Sequence, residues 1–181
     1  MRAKPIVIKN VFPPSICEQI IEYKKKDVRA GLVGHKGGSV VKKIRRSNVC
    51  FMDKNDPFTP WLNVAKDHIA KVAREVHKIN IVAFERVQFT EYLQFGYYRK
   101  HFDTSHNGPI RRISATLELS DPKSIIGGGL NLYFEKKFSP KKEQGSLVIF
   151  PSCVLHEAKT VWWGKRYSLV FWGFTEFPDG A

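Results

Sequence analysis

The chain has 181 residues, 43% of them hydrophobic and 13% aromatic, which is enough for one sizeable core, short for two domains, and unlike a disordered chain. Thirty basic residues against 17 acidic ones give a formal charge of +13, which either steers nucleic acid or an acidic protein toward the chain or simply solvates its surface. Three cysteines, Cys17, Cys50 and Cys153, show no Cys-x-x-Cys spacing, so there is no sign of a zinc site or a disulfide framework, and no apolar run approaches the roughly 18 residues of a membrane span.

The opening stretch Pro5 to Asn10 reads as a short strand. Ser15-Ile16-Cys17-Glu18 is a capping-box pattern, predicting a helix with Ile16, Ile20 and Tyr23 on one face. Arg29 to Val41 carries Gly31, Gly34, Gly37 and Gly38 and reads as a lid-like loop bordering the basic cluster Lys42-Lys43-Ile44-Arg45-Arg46. From Pro60 to Lys78, Leu62, Ala65, Ile69, Val72 and Val76 step by three and four residues, which predicts a second helix. His68 and His77 fall on its opposite faces and are poor joint ligands.

From Ile81 onward the periodicity changes to that of strands, expected at Val82 to Phe89, Ile113 to Leu119, Leu130 to Phe134, Ser146 to Phe150, His156 to Trp162 and Arg166 to Phe174. Turn residues separate them and no helix is expected between them, so the fold class is mainly β with supporting α-helices, an antiparallel jelly roll. The expected organisation is one domain over 1–181, with a strand, helices and lid-like loop in 1–80 and the jelly-roll core in 81–181.

His101 and Asp103 stand two apart in Tyr97-Tyr98-Arg99-Lys100-His101-Phe102-Asp103. In an extended strand both lean to one face while Phe102 turns into the wall behind them. With His156 far downstream they supply two imidazoles and one carboxylate, the ligand set of a facial iron(II) site whose other face admits a co-substrate and oxygen. Beyond them Arg166 stands in an apolar and aromatic strand. A buried guanidinium requires an anion, and a dicarboxylate co-substrate would supply it.

Through Tyr92 to Asp103, and through Gly145-Ser146-Leu147-Val148-Ile149-Phe150-Pro151-Ser152 to His156 and Trp172, the sequence resembles the 2-oxoglutarate and iron(II)-dependent dioxygenases, and among them the small prolyl 4-hydroxylases of microbes and viruses. The resemblance implies a double-stranded β-helix, with His101, Asp103 and His156 as iron ligands and Arg166 pairing with the distal carboxylate of 2-oxoglutarate. It assigns Tyr92 and Thr116 to the co-substrate pocket, with Asn131 as the polar contact after Gly128-Gly129. On the substrate side it points to Tyr98 and to one of Arg111 and Arg112; by the stacking chemistry of aromatic rings Trp162 or Trp163 is a further candidate, either stacking on proline or packing the barrel wall. It implies Fe(II), 2-oxoglutarate and O2, with ascorbate as reductant, release of succinate and CO2, and a peptidyl proline in a proline-containing peptide or protein as substrate.

In the resembling hydroxylases a loop matching Arg29 to Arg46 folds over the peptide. Asp103 argues for hydroxylation, because halogenating relatives generally lack that carboxylate. The alternatives are hydroxylation of another residue or a small molecule, a nucleic-acid demethylase, or a non-catalytic jelly-roll binding module. Resembling demethylases usually place a second arginine where this chain has Trp172, and a binding module would break a ligand that is intact here. A cytoplasmic setting is expected, or a host's cytoplasm for a viral chain, with no membrane partner.

Overall fold

A computed structural model describes residues 4–32, 41–104 and 110–176. In chain order the strands are β1 (Ile6–Ile8), β2 (Arg29–Ala30), β3 (Arg45–Arg46), β4 (Asn48–Phe51), β5 (Ala83–Phe84), β6 (Gln88–Tyr92), β7 (Tyr97–His101), β8 (Arg111–Glu118), β9 (Ile126–Gly127), β10 (Leu130–Tyr133), β11 (Lys137–Phe138), β12 (Leu147–Pro151), β13 (Leu155–Ala158), β14 (Val161–Trp163) and β15 (Arg166–Phe174). Helix α1 spans Pro14–Lys24 and α2 spans Thr59–Glu75. Among the described residues neither is long and apolar enough to cross a membrane.

An eight-stranded sheet runs β1-β12-β8-β15-β6-β4-β2, with β5 also paired to β15, and a five-stranded sheet runs β11-β10-β13-β7-β3. A separate ribbon pairs β14 with β9. The pairings are antiparallel throughout, as the turn-punctuated sequence requires. This is the jelly roll expected from the strand pattern.

The large sheet is antiparallel, and its central strands alternate between an apolar set of side chains that packs on the helices and a set, polar in part, that turns toward the other sheet. On β15, Tyr167, Leu169 and Phe171 join Ile113, Ala115 and Leu117 of β8 in a core with Ile20 of α1 and Leu62, Ala65 and Ile69 of α2. The intervening residues Arg166, Ser168, Val170 and Trp172 turn the other way and line a cavity between the sheets. One strand therefore holds the helices with one set of side chains and builds the site with the other.

Local departures from the expected pattern have physical causes. Helix α1 has Pro13 at its N-cap, Pro14 in its first turn and no side-chain cap, so the preset proline φ opens the helix before Ser15 can act in a capping box. Its buried stripe is Cys17, Ile20 and Lys24, with Tyr23 half-exposed. Lys24 is tolerated because its Nζ lies 3.0 Å from the equally buried Asp56. Helix α2 ends at Glu75, before the expected Lys78, and Val76 is exposed. The strand expected over Val82 to Phe89 is split into β5 and β6, and the one over His156 to Trp162 into β13 and β14.

Of the lid-like segment, β2 pairs with β4 and β3 with β7. The glycines Gly34, Gly37 and Gly38 lie outside the described residues.

Candidate metal centre

Strands β7 and β13 lie side by side with His101 opposite His156, their ring centroids 4.1 Å apart. Strand β7 ends at His101. Asp103 is then held by its backbone N–H, which donates to Ser152 O at 3.1 Å. Because the strand has ended, Phe102 is not turned into a wall as alternation predicted, but is 57% exposed beside the cavity.

The Asp103 carboxylate lies between the two imidazoles, with Oδ1 3.6 Å from His101 Nε2 and Oδ2 3.5 Å from His156 Nε2. One ligand atom from each of the three residues falls within 4.8 Å of the others. These separations are longer than charge-assisted hydrogen bonds and suit donors converging on one shared cation.

The tautomers are set from behind. His101 Nδ1 is 2.8 Å from Arg99 O and His156 Nδ1 is 2.9 Å from Val154 O, so each Nδ1–H donates to a backbone carbonyl and each Nε2 presents a lone pair to the site. Tyr98 stacks on the His101 ring at 3.5 Å between centroids, and Phe150 meets His156 edge-on. Burial lowers the His156 pKa, which favours the neutral form that a metal ligand must take. Burial alone would raise the Asp103 pKa, but the facing His156 and then His101 outweigh it and hold the carboxyl well below the usual carboxylate range. A hard carboxylate and two imidazoles that turn Nε2 toward it thus fit iron(II) by their chemistry as well as their spacing.

The triad opens on a cavity of about 590 Å³ lined by both sheets. Arg166, Tyr92, Thr116, Tyr98 and Arg111 are among its lining residues. Arg166 and Tyr92 are opposed across β15 and β6, with the guanidinium 5.4 Å from the phenol ring centre. Arg111 is held by a two-point pair with Glu85 at 2.8 and 2.9 Å and lies over the Trp172 ring. Arg112 belongs instead to a neighbouring cavity of about 480 Å³ with Lys78 and Cys153.

Three expectations are corrected. Asn131 does not line the main cavity; its amide donates to Glu157 Oε1 at 2.8 Å and its Oδ1 accepts from Ser139 Oγ. The alternation of β10 gives the inward place to Leu130, which lines the wall. Trp162 and Trp163 are also outside that lining, 58% and 57% exposed on the β9–β14 ribbon. For Arg166 only the argument from an unpaired charge is corrected: it keeps its place in the lining, but its Nε already donates to Glu118 Oε2 at 2.8 Å, and both side chains are buried.

Glu118 was missed, although its alternation with Ser114 and Thr116 in an apolar strand is the signal for an inward polar row. Arg45 was read only as one member of the basic cluster bordering the lid-like loop. It is buried, lines the cavity, donates from Nε to Ser47 Oγ at 2.7 Å and lies over the Tyr98 ring.

Comparison with known proteins agrees with this geometry. Residues 87–174 match the model of the 2OG-Fe(II) oxygenase superfamily. A PKHD-type hydroxylase of Shewanella sp. strain MR-7 is 31% identical over 183 residues, covering 92% of this chain and 76% of that protein. One from Acinetobacter baumannii strain SDF is 28% identical, covering 86% and 72%. The chain belongs to the 2OG-Fe(II) oxygenase superfamily: it is a 2-oxoglutarate-dependent dioxygenase, and iron(II), 2-oxoglutarate and O2 are its reagents.

In fold it is similar to a Pseudomonas putida prolyl-4-hydroxylase, with a TM-score of 0.79 at 18% identity over 97% of this chain and 94% of that one. It is also similar to the Trichoplax adhaerens prolyl hydroxylase solved with a hypoxia inducible factor oxygen degradation domain peptide fragment, with a TM-score of 0.78 at 18% identity over 94% and 83%.

Proposed function

We propose that the chain hydroxylates a prolyl residue within a peptide or protein. The observation that carries this reading is the single cavity joining a His-Asp-His triad to a buried arginine, in a chain whose relatives are PKHD-type hydroxylases and whose fold neighbours are prolyl hydroxylases. Iron(II) would be held by His101 Nε2, Asp103 and His156 Nε2, and bound there it would supply the oxygen activation that couples conversion of 2-oxoglutarate to succinate and CO2 with hydroxylation of the substrate.

The chain's own residues bind and orient. Arg166 holds the distal carboxylate of 2-oxoglutarate, with Tyr92 and Thr116 beside it. Leu130, Ala158 and Val170 line the cavity with apolar surface and help exclude water. The substrate approaches past Tyr98, Phe102 and Arg111, where aromatic faces suit a proline ring in an extended peptide. Ascorbate is the reductant we propose to sustain turnover. We place the activity in the cytoplasm, consistent with Cys17, Cys50 and Cys153 all being free.

The test is succinate release with iron(II) and 2-oxoglutarate across proline-rich peptides, methylated oligonucleotides and free amino acids, with mass spectrometry of the products. The expected result is one added oxygen on proline. Oxidation of an oligonucleotide or a different residue, with proline-rich peptides untouched, overturns the prolyl reading and leaves the dioxygenase standing.

A further inference from the structure

We infer that Glu118 is a positioning residue that fixes how Arg166 meets the co-substrate, an inference that rests on reading Arg166 as the group that holds the distal carboxylate. Arg166 lines the cavity and Glu118 does not, so the acid approaches the guanidinium from the side away from the cavity. Its Oε2 takes the Nε–H at 2.8 Å, with the side chains 3% and 11% exposed. An arginine fork can receive a carboxylate side-on, through Nε and one terminal nitrogen, or end-on through both terminal nitrogens. Glu118 occupies the side-on edge and leaves the end-on edge for the ligand.

The rest of the neighbourhood supports a fixed pose. Gly128, at φ +68°, packs against the arginine stem so closely that a Cβ there would lie 3.1 Å from Arg166 Cδ and 2.9 Å from Val161 Cγ2. Glu118 sits on β8 opposite Ser168 of β15, one inward place along from Arg166 on that strand, so the register of two central strands sets the approach.

A buried acid beside an anion site raises the question of repulsion. Lys142, whose Nζ donates to Gly127 O at 2.7 Å, feels both Glu118 and Arg166. Lys159 stands in the same neighbourhood, so the cations around Glu118 outnumber its one carboxylate and the surroundings stay positive toward an incoming carboxylate. Glu118 Oε1, buried without a partner, makes the far side of the guanidinium hostile to a second anion.

Two isosteric or near-isosteric variants separate geometry from charge. Glu118→Gln keeps an oxygen acceptor at the same reach without the charge, whereas Glu118→Asp keeps the charge and withdraws the acceptor by one methylene. Binding is measured by calorimetry on Mn(II)-loaded protein, with 2-oxoglutarate and with 2-oxobutyrate, which lacks the distal carboxylate.

Positioning requires Glu118→Gln to bind 2-oxoglutarate as tightly as the parent or tighter. Glu118→Asp should bind it at least fivefold more weakly, with 2-oxobutyrate unchanged in both. In an Arg166→Lys background, which has no Nε–H fork, the two variants should become equivalent. The inference is overturned if Glu118→Asp matches the parent, if both variants weaken binding equally, or if both ligands shift together as a general loosening would make them. Arg166→Ala with unaltered 2-oxoglutarate affinity would instead remove the underlying assignment of Arg166.

Discussion

The two ends of the cavity hold charge in opposite ways. At the triad, Asp103 faces two imidazoles at 3.5 and 3.6 Å, too far for a tight pair, and the three donors converge without neutralising one another. At the other end, Arg166 is already paired with Glu118 at 2.8 Å. One end is built to be completed by a cation, and the other to meet an anion with its charge partly matched beforehand. The metal end should therefore fail completely when one donor is lost, while the arginine end should fail by degrees.

The largest effect expected is loss of 2-oxoglutarate turnover in His101→Ala, Asp103→Ala and His156→Ala, with melting temperatures of the metal-free proteins close to the parent's, because the core lies in other residues. Turnover surviving in all three would break the comparison at its metal end. Arg166→Ala should weaken 2-oxoglutarate binding by roughly ten- to a hundredfold, since a charge-assisted hydrogen bond is worth about 1.5–3 kcal/mol and each 1.4 kcal/mol is tenfold. Arg166→Lys should recover part of it, and titration of the Mn(II)-loaded proteins with 2-oxoglutarate measures both.

Acid should act on stability before it reaches the carboxylates. His156 and His77 both have pKa values lowered by burial, so the unfolded chain binds protons there that the folded chain does not. Their contribution is intact above the ordinary value of about 6.5 and is lost as pH falls below it. The melting temperature of the metal-free protein should hold from pH 8 to about 6.5 and then decline. A decline beginning only near pH 4 would mean that these rings are not buried as described.

The smallest effects belong outside the cavity. Trp162→Ala and Trp163→Ala should leave 2-oxoglutarate affinity within about twofold, as their exposure on the β9–β14 ribbon requires. Iodoacetamide at pH 8 should modify exposed Cys153 and spare Cys17, whose thiol is pushed up to about 12, chiefly by burial. Peptide mass mapping reads both.

The triad was legible because its information is local: a His-x-Asp pair, one later histidine, and an inward strand arginine after it. The jelly roll was legible from the spacing of strands and turns. Partners fixed by register rather than by neighbourhood in sequence were not. The pairing of Glu118 with Arg166 depends on β8 lying next to β15, and the burial of Arg45 depends on β3 joining the small sheet beside β7. Asn131 was misplaced because one step along a strand reverses the face, so a motif match that is right to within a residue can still choose the wrong wall.

Each metal-binding histidine bonds to a carbonyl two residues earlier on its own segment, Arg99 for His101 and Val154 for His156. Many metalloproteins borrow a distant carboxylate for this task, and substitutions that reshape the pocket then disturb the metal. Here Arg99-Lys100-His101 and Val154-Leu155-His156 each carry their own tautomer control in the main chain, which side-chain substitution does not remove. The walls are thus free to be redrawn around an unchanged redox centre, and a lineage can change what it oxidises without relearning how.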